Sequence, residues 1–350
     1  MSKPEECQKR CARQGCENFV TRKAHKHCSP ECARAADAQT RLWVPKAGRA
    51  HEFVDLTKLK EELVADIKAA VKGRKIPHGA KPKKDADMMH MISLFDLHIG
   101  KYACKDETGE NYDSKIATAR LREAMEILLD RGSNYPVEQF LFPLGQDLLN
   151  IDNMMGGTTA GTLQDSDSRL RRIFRTAVLE MTWCIERMAE VAPVRVLVVP
   201  GNHDNFGSFA VGSVIEARFH GDPRVIVDPS IMPRVYYRYG KTLLGFNHGG
   251  GEDAKSSKLA LVMATERPAD WAATDFHEFY LGHRHIRSEE RYTAGDTHGG
   301  VGIHVLPSLS GTDLWHSKNG YVDNGIKRSV SILFNKNDGP VVEFKAAIRA

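Results

Sequence analysis

One pattern recurs five times along this 350-residue chain. A short apolar run stops abruptly, and side chains able to bind a cation or move a proton follow at once. The fullest instance is Val194 to Val199, then Pro200 and Gly201, then Asn202, His203 and Asp204. The run reads as a buried strand, and Pro-Gly breaks it into a loop. An amide oxygen, an imidazole and a carboxylate are thereby fixed at a strand's C-terminal end, where open α/β sheets hold their ligands. The other four instances follow the same scheme. Met88 to Phe95 runs into Asp96-Leu-His98, and Phe140 to Leu144 into Gly145-Gln-Asp147. Thr242 to Phe246 runs into Asn247-His248-Gly249, and Phe279 to Leu281 into Gly282-His283-Arg-His285. Each alone is an ordinary polar turn. Five in order constrain the chain to an α/β fold whose strand ends carry one site. Residues two apart on a strand point to the same side, so Asp96 with His98, and His283 with His285, would each face a common target.

Helices are expected between these strands. Residues 115–131 carry Ile116, Ala119, Leu121, Met125, Leu128 and Leu129 at helical spacing. A second helix is expected over 169–191, capped from within Asp165 to Ser168. The small polar residues 156–169 read as a long loop over the site. Arg169, Arg171, Arg172 and Arg175 either face phosphates or form a solvated helix face. Val301 to Leu306 gives a further strand, and Val330 to Phe334 with Val341 to Phe344 a closing hairpin turning at Asn337-Asp-Gly.

Hydrophobic residues make up 41% and charged residues 27%, a globular balance. No apolar run reaches the roughly 18 residues of a membrane span, and the opening residues show no apolar signal core. A cytoplasmic location without membrane contact is the expectation. Charge is unevenly divided: residues 1–84 hold 20 Lys+Arg against 10 Asp+Glu, the remainder 29 against 35. A basic arm on an acidic body suits a polyanionic partner, DNA first, or is a solvated tail. Five of the seven cysteines fall within the first 32 residues. Cys11, Cys16, Cys28 and Cys32 form two close pairs that match a tetrahedral structural zinc site, with Cys7 or His25 as substitutes. Such modules bind DNA or protein partners. The expected domains are a zinc module over 1–35, a helix and basic linker over 36–87, and the main domain over 88–350.

The ordered motifs Asp-x-His, Gly-x-Asp, Gly-Asn-His-Asp, His-Gly and Gly-His-x-His resemble those of the calcineurin-like metallophosphoesterases, over roughly residues 88–335. The resemblance implies a four-layer β-sandwich flanked by helices and a two-metal site. In it Asp96, His98 and His285 would hold one ion, Asn202, His248 and His283 the other, and Asp147 would bridge them. His203 would protonate the leaving oxygen, with Asp204 orienting it. Mixed oxygen and nitrogen ligands fit manganese first, then iron or zinc, over calcium. Two such ions neutralise a phosphate ester and acidify a water. The sequence departs from the family in two places. Gln146 separates Gly145 from Asp147, leaving Asp152 as a rival bridging residue. Asn150 stands where nuclease members often place a substrate-contacting histidine. The Asp-x-His-x-Gly opening and Gly-His-x-His close also resemble the phosphoesterase subunit of double-strand-break repair nucleases, without that family's capping domain. A metal-dependent DNA nuclease is the first functional expectation. The second is a phosphatase or phosphodiesterase on a small nucleotide or phosphoprotein, its pocket closed by residues 153–168 and 310–322. An inactive zinc-bearing adaptor is the third.

Overall fold

The computed structural model describes residues 86–230, 232–249, 257–283, 296–298, 300–312, 314–318 and 326–349. The zinc-module cysteines Cys11, Cys16, Cys28 and Cys32, the expected helix and linker before residue 86, and His285 lie outside the described residues.

Two sheets carry the fold. The first contains β1 (Met88–Ser93), β2 (Val137–Gly145), β3 (Val194–Val199), β4 (Val225–Asp228), β10 (Ile326–Asn335) and β11 (Gly339–Arg349). Its order is β11-β10-β1-β2-β3-β4. The second contains β5 (Val235–Tyr239), β6 (Thr242–Asn247), β7 (Phe276–Leu281), β8 (Asp296–His298) and β9 (Val301–Val305), in the order β5-β6-β7-β9-β8. β1 to β4 run parallel, as do β6, β7 and β9. The helices of the described residues are α1 (Lys105–Thr108), α2 (Ser114–Gly132), α3 (Leu170–Ala189), α4 (Asn205–Phe219), α5 (Ser257–Glu266), α6 (Pro268–Ala272) and α7 (Leu314–Lys318).

Strand alternation explains the layering. On β1, Met89 and Met91 pack between the sheets with Leu141, Leu197, Val199 and Ile332 of the first sheet and Leu244, Phe246 and Tyr280 of the second. The intervening Ile92, Phe140, Phe142 and Val196 face the other way, onto α2, α3 and α4. Leu243, Phe279 and Leu281 face outward from the second sheet onto Leu259 and Met263 of α5. The order of layers is helices, sheet, sheet, helices, so the expected four-layer α/β sandwich is the observed fold.

Pro143 sits inside β2, where a missing N–H would ordinarily break a ladder. Phe140 and Gln146 donate toward β3, so the alternation turns position 143 toward β1. Pairing with β1 ends at Met91↔Leu141, before the proline. The hairpin β10–β11 is longer than expected, and Asn335 Oδ1 closes its turn by accepting from the amides of Asn337 and Asp338. Asp165 to Ser168 do not cap α3: Arg169 precedes it with no side-chain cap. Asp167 instead accepts from the Ser114 amide at the start of α2. No helix among the described residues is long and apolar enough to cross a membrane.

Candidate metal centre

The C-terminal ends of β1, β2, β3, β6 and β7 gather the motif residues into one cluster. Among the described residues, five non-glycine residues have positive φ: Asp96 (51°), His98 (46°), Gln146 (56°), Asp147 (61°) and His283 (69°). All five belong to the motifs. A left-handed backbone costs a non-glycine residue about 1–2 kcal/mol, and such strain concentrates at functional sites. The reading of Asp96 and His98 as strand neighbours is corrected here. β1 ends at Ser93, and a left-handed turn replaces strand alternation at both positions.

Backbone bonds explain how these turns persist. In a strand, N–H and C=O of one residue point to the same neighbour. At Gln146 they part: its N–H donates to Val199 O of β3, while its C=O accepts from the Asp96 amide. The His98 amide then donates to Asp147 O, and the Ile99 amide to Leu148 O. The two turns are thus laced to one another. Motif glycines allow the closest approaches. A Cβ on Gly201 would lie 2.0 Å from Asp147 Oδ1, and one on Gly282 would lie 2.6 Å from Asp96 Oδ2.

Asp147 stands at the centre. Its Oδ1 accepts from the His203 amide at 2.8 Å. Its Oδ2 lies 3.0 Å from His248 Nε2 and 3.9 Å from His98 Nε2. Two groups of metal-ligating side chains are therefore present, His98–Asp147–His203 and Asp147–His248–His283, and they share this carboxylate. In the second group, His248 Nε2 lies 2.7 Å from Asn202 Oδ1 and 3.1 Å from His283 Nδ1, besides its approach to Asp147. One imidazole nitrogen carries at most one hydrogen, so it cannot satisfy two oxygens and a second imidazole. A cation among these four lone-pair donors can. The residues present fit a divalent metal.

Charge supports the same conclusion. Asp96, Asp147 and Asp204 are each at most 1% exposed. Burial pushes the Asp96 and Asp204 carboxyls well above their ordinary range, and the Asp147 charge adds to it. Burial also opposes charge on Asp147, but the adjacent His248 and His203 together hold that carboxyl low. The carboxylates correspondingly raise His248 against its own burial. Such a concentration of buried acids calls for cations.

Asp96 lies beside this cluster, its two oxygens accepting from the His283 amide at 3.0 Å each. His203, expected outside the ligand set, falls within reach of His98 and Asp147, with ring centroids of the two histidines 4.6 Å apart. Its Nδ1 is 3.0 Å from Asn150 O, which fixes the Nδ1–H tautomer and leaves Nε2 available. This corrects the role expected for Asp204. Its Oδ2 accepts from the Leu149 amide and the Ser208 hydroxyl, so it braces the loop while Asn150 orients the histidine. The Asn150 side chain does not take the place of a substrate-contacting histidine: its amide donates to Asp165 O and Ser166 Oγ, securing the loop beyond. Asp152, the rival bridging residue, accepts from the Phe206 and Gly207 amides at the start of α4 and from Thr159 Oγ1. Asn202 and His283 are exposed and His203 half-buried, so the centre opens to solvent on that side.

No protein-family model matches the chain, and no curated protein does. Solved structures give distant matches. Vps29 of Chaetomium thermophilum is 10% identical, with a TM-score of 0.31 over 75% of this chain and 98% of that one. A 5′-nucleotidase precursor from Thermus thermophilus is 11% identical, with a TM-score of 0.31 over 75% of this chain and 54% of that one. The match thus spans about half of the nucleotidase precursor. A hypothetical protein from the same organism is 11% identical, with a TM-score of 0.31 over 75% of this chain and 99% of that one. Likeness at this depth transfers no function.

Proposed function

We propose that the chain is a dinuclear metal-dependent phosphoesterase of the calcineurin-like type, hydrolysing phosphodiester bonds and acting on DNA. The observation that carries this reading is the single carboxylate, Asp147, shared by two ligand groups. Asp147, His98 and Asp96 would hold one ion, with His285 completing the set. Asp147, Asn202, His248 and His283 would hold the other. Manganese suits this donor set, with iron or zinc as alternatives. Bound there, two divalent cations supply positive charge for phosphate oxygens and lower the pKa of a water.

The protein's own part is positional and acid–base. The lacing of the β1 and β2 turns fixes the ligand carboxylates before substrate arrives, which lowers the reorganisation needed during reaction. His203, held by Asn150 O with Nε2 available, is suited to carry the proton received by the leaving oxygen. DNA as substrate draws support from the excess of basic residues in 1–84 and from Arg169, Arg171, Arg172 and Arg175, all exposed at the start of α3. The four-cysteine zinc module is proposed to assist by binding DNA or a protein partner.

The test uses full-length protein and the variants Asp147→Asn and His203→Ala. Each is incubated in manganese with labelled single- and double-stranded DNA and with a chromogenic phosphodiester. DNA cleavage by the wild type alone is the expected result. Ester hydrolysis without DNA cleavage would move the substrate to a small nucleotide or phosphoprotein. Inactivity on both, with manganese bound, would favour the adaptor reading.

A further inference from the structure

The left-handed turn Asp96-Leu97-His98 is backed by a buried segment that no motif signals. Asp96 and His98 both have positive φ, and their main-chain amides are taken by Gln146 O and Asp147 O. That leaves the carbonyls of Asp96 and Leu97, and both are met by hydroxyls from distant parts of the chain. Ser308 Oγ donates to Asp96 O at 2.7 Å. Tyr112 Oη donates to Leu97 O at 2.5 Å. The phenol is 1% exposed, and burial holds it protonated well above the ordinary tyrosine range, so it remains a donor.

These two hydroxyls are themselves anchored. The Ser310 amide donates to Ser308 Oγ. Arg120 donates to Leu309 O and to Glu110. Glu110 Oε1 accepts from the Thr312 amide and from Lys327 Nζ, each at 2.6 Å. Gly311 packs so closely on Tyr112 that a Cβ there would lie 2.6 Å from the tyrosine Cβ. Arg120 and Lys327 are 5% and 3% exposed. The buried cations Arg120 and Lys327, joined through the half-buried Glu110, hold the segment 308–312 in one position. The polar stretch after β9, whose sequence suggests a pocket lid, begins as a brace, half-buried at Ser308 and buried from Leu309 to Thr312.

We propose that Tyr112 and Ser308 are positioning residues for the Asp96–His98 half of the metal centre, holding the carbonyls of the turn that presents both ligands. The proposal rests on the dinuclear reading. Removing one hydroxyl leaves a main-chain carbonyl without that donor, and the turn gains freedom to relax toward ordinary backbone. The ligands then lose their preset spacing. Removing a group that orients a metal ligand typically lowers metal affinity by about 10- to 100-fold.

The test is calorimetric titration of manganese into full-length wild type, Tyr112→Phe, Ser308→Ala and His98→Ala, with thermal melts of each protein in chelator and in manganese. The expected wild-type result is two binding steps. His98→Ala identifies the step belonging to the Asp96–His98 half. Tyr112→Phe and Ser308→Ala should each weaken that same step about tenfold and leave the other unchanged. Their manganese-induced rise in melting temperature should shrink relative to wild type. A merely structural role would lower the melting temperature equally with and without metal and leave both steps intact, which would overturn the proposal. Equal weakening of both steps would overturn it too. Failure of the dinuclear reading would show separately, as a wild type lacking two manganese steps.

Discussion

Titratable groups are buried in two places, within β1 and at the mouth formed by the strand ends, and the two settings differ. On the helix-covered face of β1 lies His90, 1% exposed and 2.8 Å from Ser331 Oγ. It packs near Phe140 and Phe344, on backbone belonging to an ordinary strand. Burial lowers its pKa to about 4, so it is a neutral polar residue with one satisfied partner. At the mouth, where the ends of β1, β2, β3 and β6 gather, the carboxylates of Asp96, Asp147 and Asp204 and the imidazoles of His98 and His248 are buried together on turns that include left-handed backbone. Burying one neutral imidazole is compatible with a stable core. Burying Asp96 and Asp147 on left-handed turns destabilises the protein unless cations offset their charge. The scaffold face is arranged for stability, and the mouth for ligands.

The sharpest way to break this contrast is to remove the shared carboxylate. Asp147→Asn should lower phosphodiester hydrolysis by about a thousandfold or more, since it disturbs both ligand groups at once. Steady-state kinetics in saturating manganese measures it. His203→Ala should cost about 10²–10⁴-fold in kcat, the range of general acid–base catalysis, while manganese stoichiometry stays at the wild-type value. If manganese is lost as well, His203 belongs to the ligand set its position permits.

Metal removal compares the regions directly. Saturating manganese should raise the melting temperature of the chelator-treated protein by about 5 °C or more, because the ions bind only the folded mouth. Asp147→Asn should abolish most of this rise, and substitutions at His90 should leave it unaltered.

The smallest expected effect lies on the scaffold. The folded protein holds His90 neutral down to about pH 4, whereas the unfolded chain protonates it near 6.5. The unfolded state thus binds more protons in that window. Stability contributed by the neutral His90 is complete above about pH 6.5 and declines as pH falls toward 4, by up to about 3 kcal/mol. His90→Gln retains a polar partner for Ser331 without titrating, so urea denaturation of this variant should show a shallower acid loss than wild type.

The strands and the gathering of their C-terminal ends were legible because apolar runs broken by Gly, Asp and His mark both the element and its ligands. The short strands β4, β5 and β8 escaped, being brief segments whose pairing decides their state. Within the site, local sequence named the residues at the cluster but not their partners. Asp204 sits next to His203 in sequence yet braces Leu149 and Ser208, and the main chain of Asn150, 53 positions away, holds the imidazole. Tyr112 and Ser308 lie 15 and 212 positions from the carbonyls they bind. Hydrogen bonds of that span leave no periodic or spacing signal, because only the tertiary fold creates them.

The chemistry proposed for the mouth depends on Asp147 joining two cations. Electron paramagnetic resonance of the manganese-loaded full-length protein tests it most directly, because two manganese ions bridged by one carboxylate couple magnetically and isolated ions do not. A spin-coupled pair is expected in wild type and is lost in Asp147→Asn. An isolated-ion spectrum in wild type at saturating manganese, unchanged by Asp147→Asn, would contradict it.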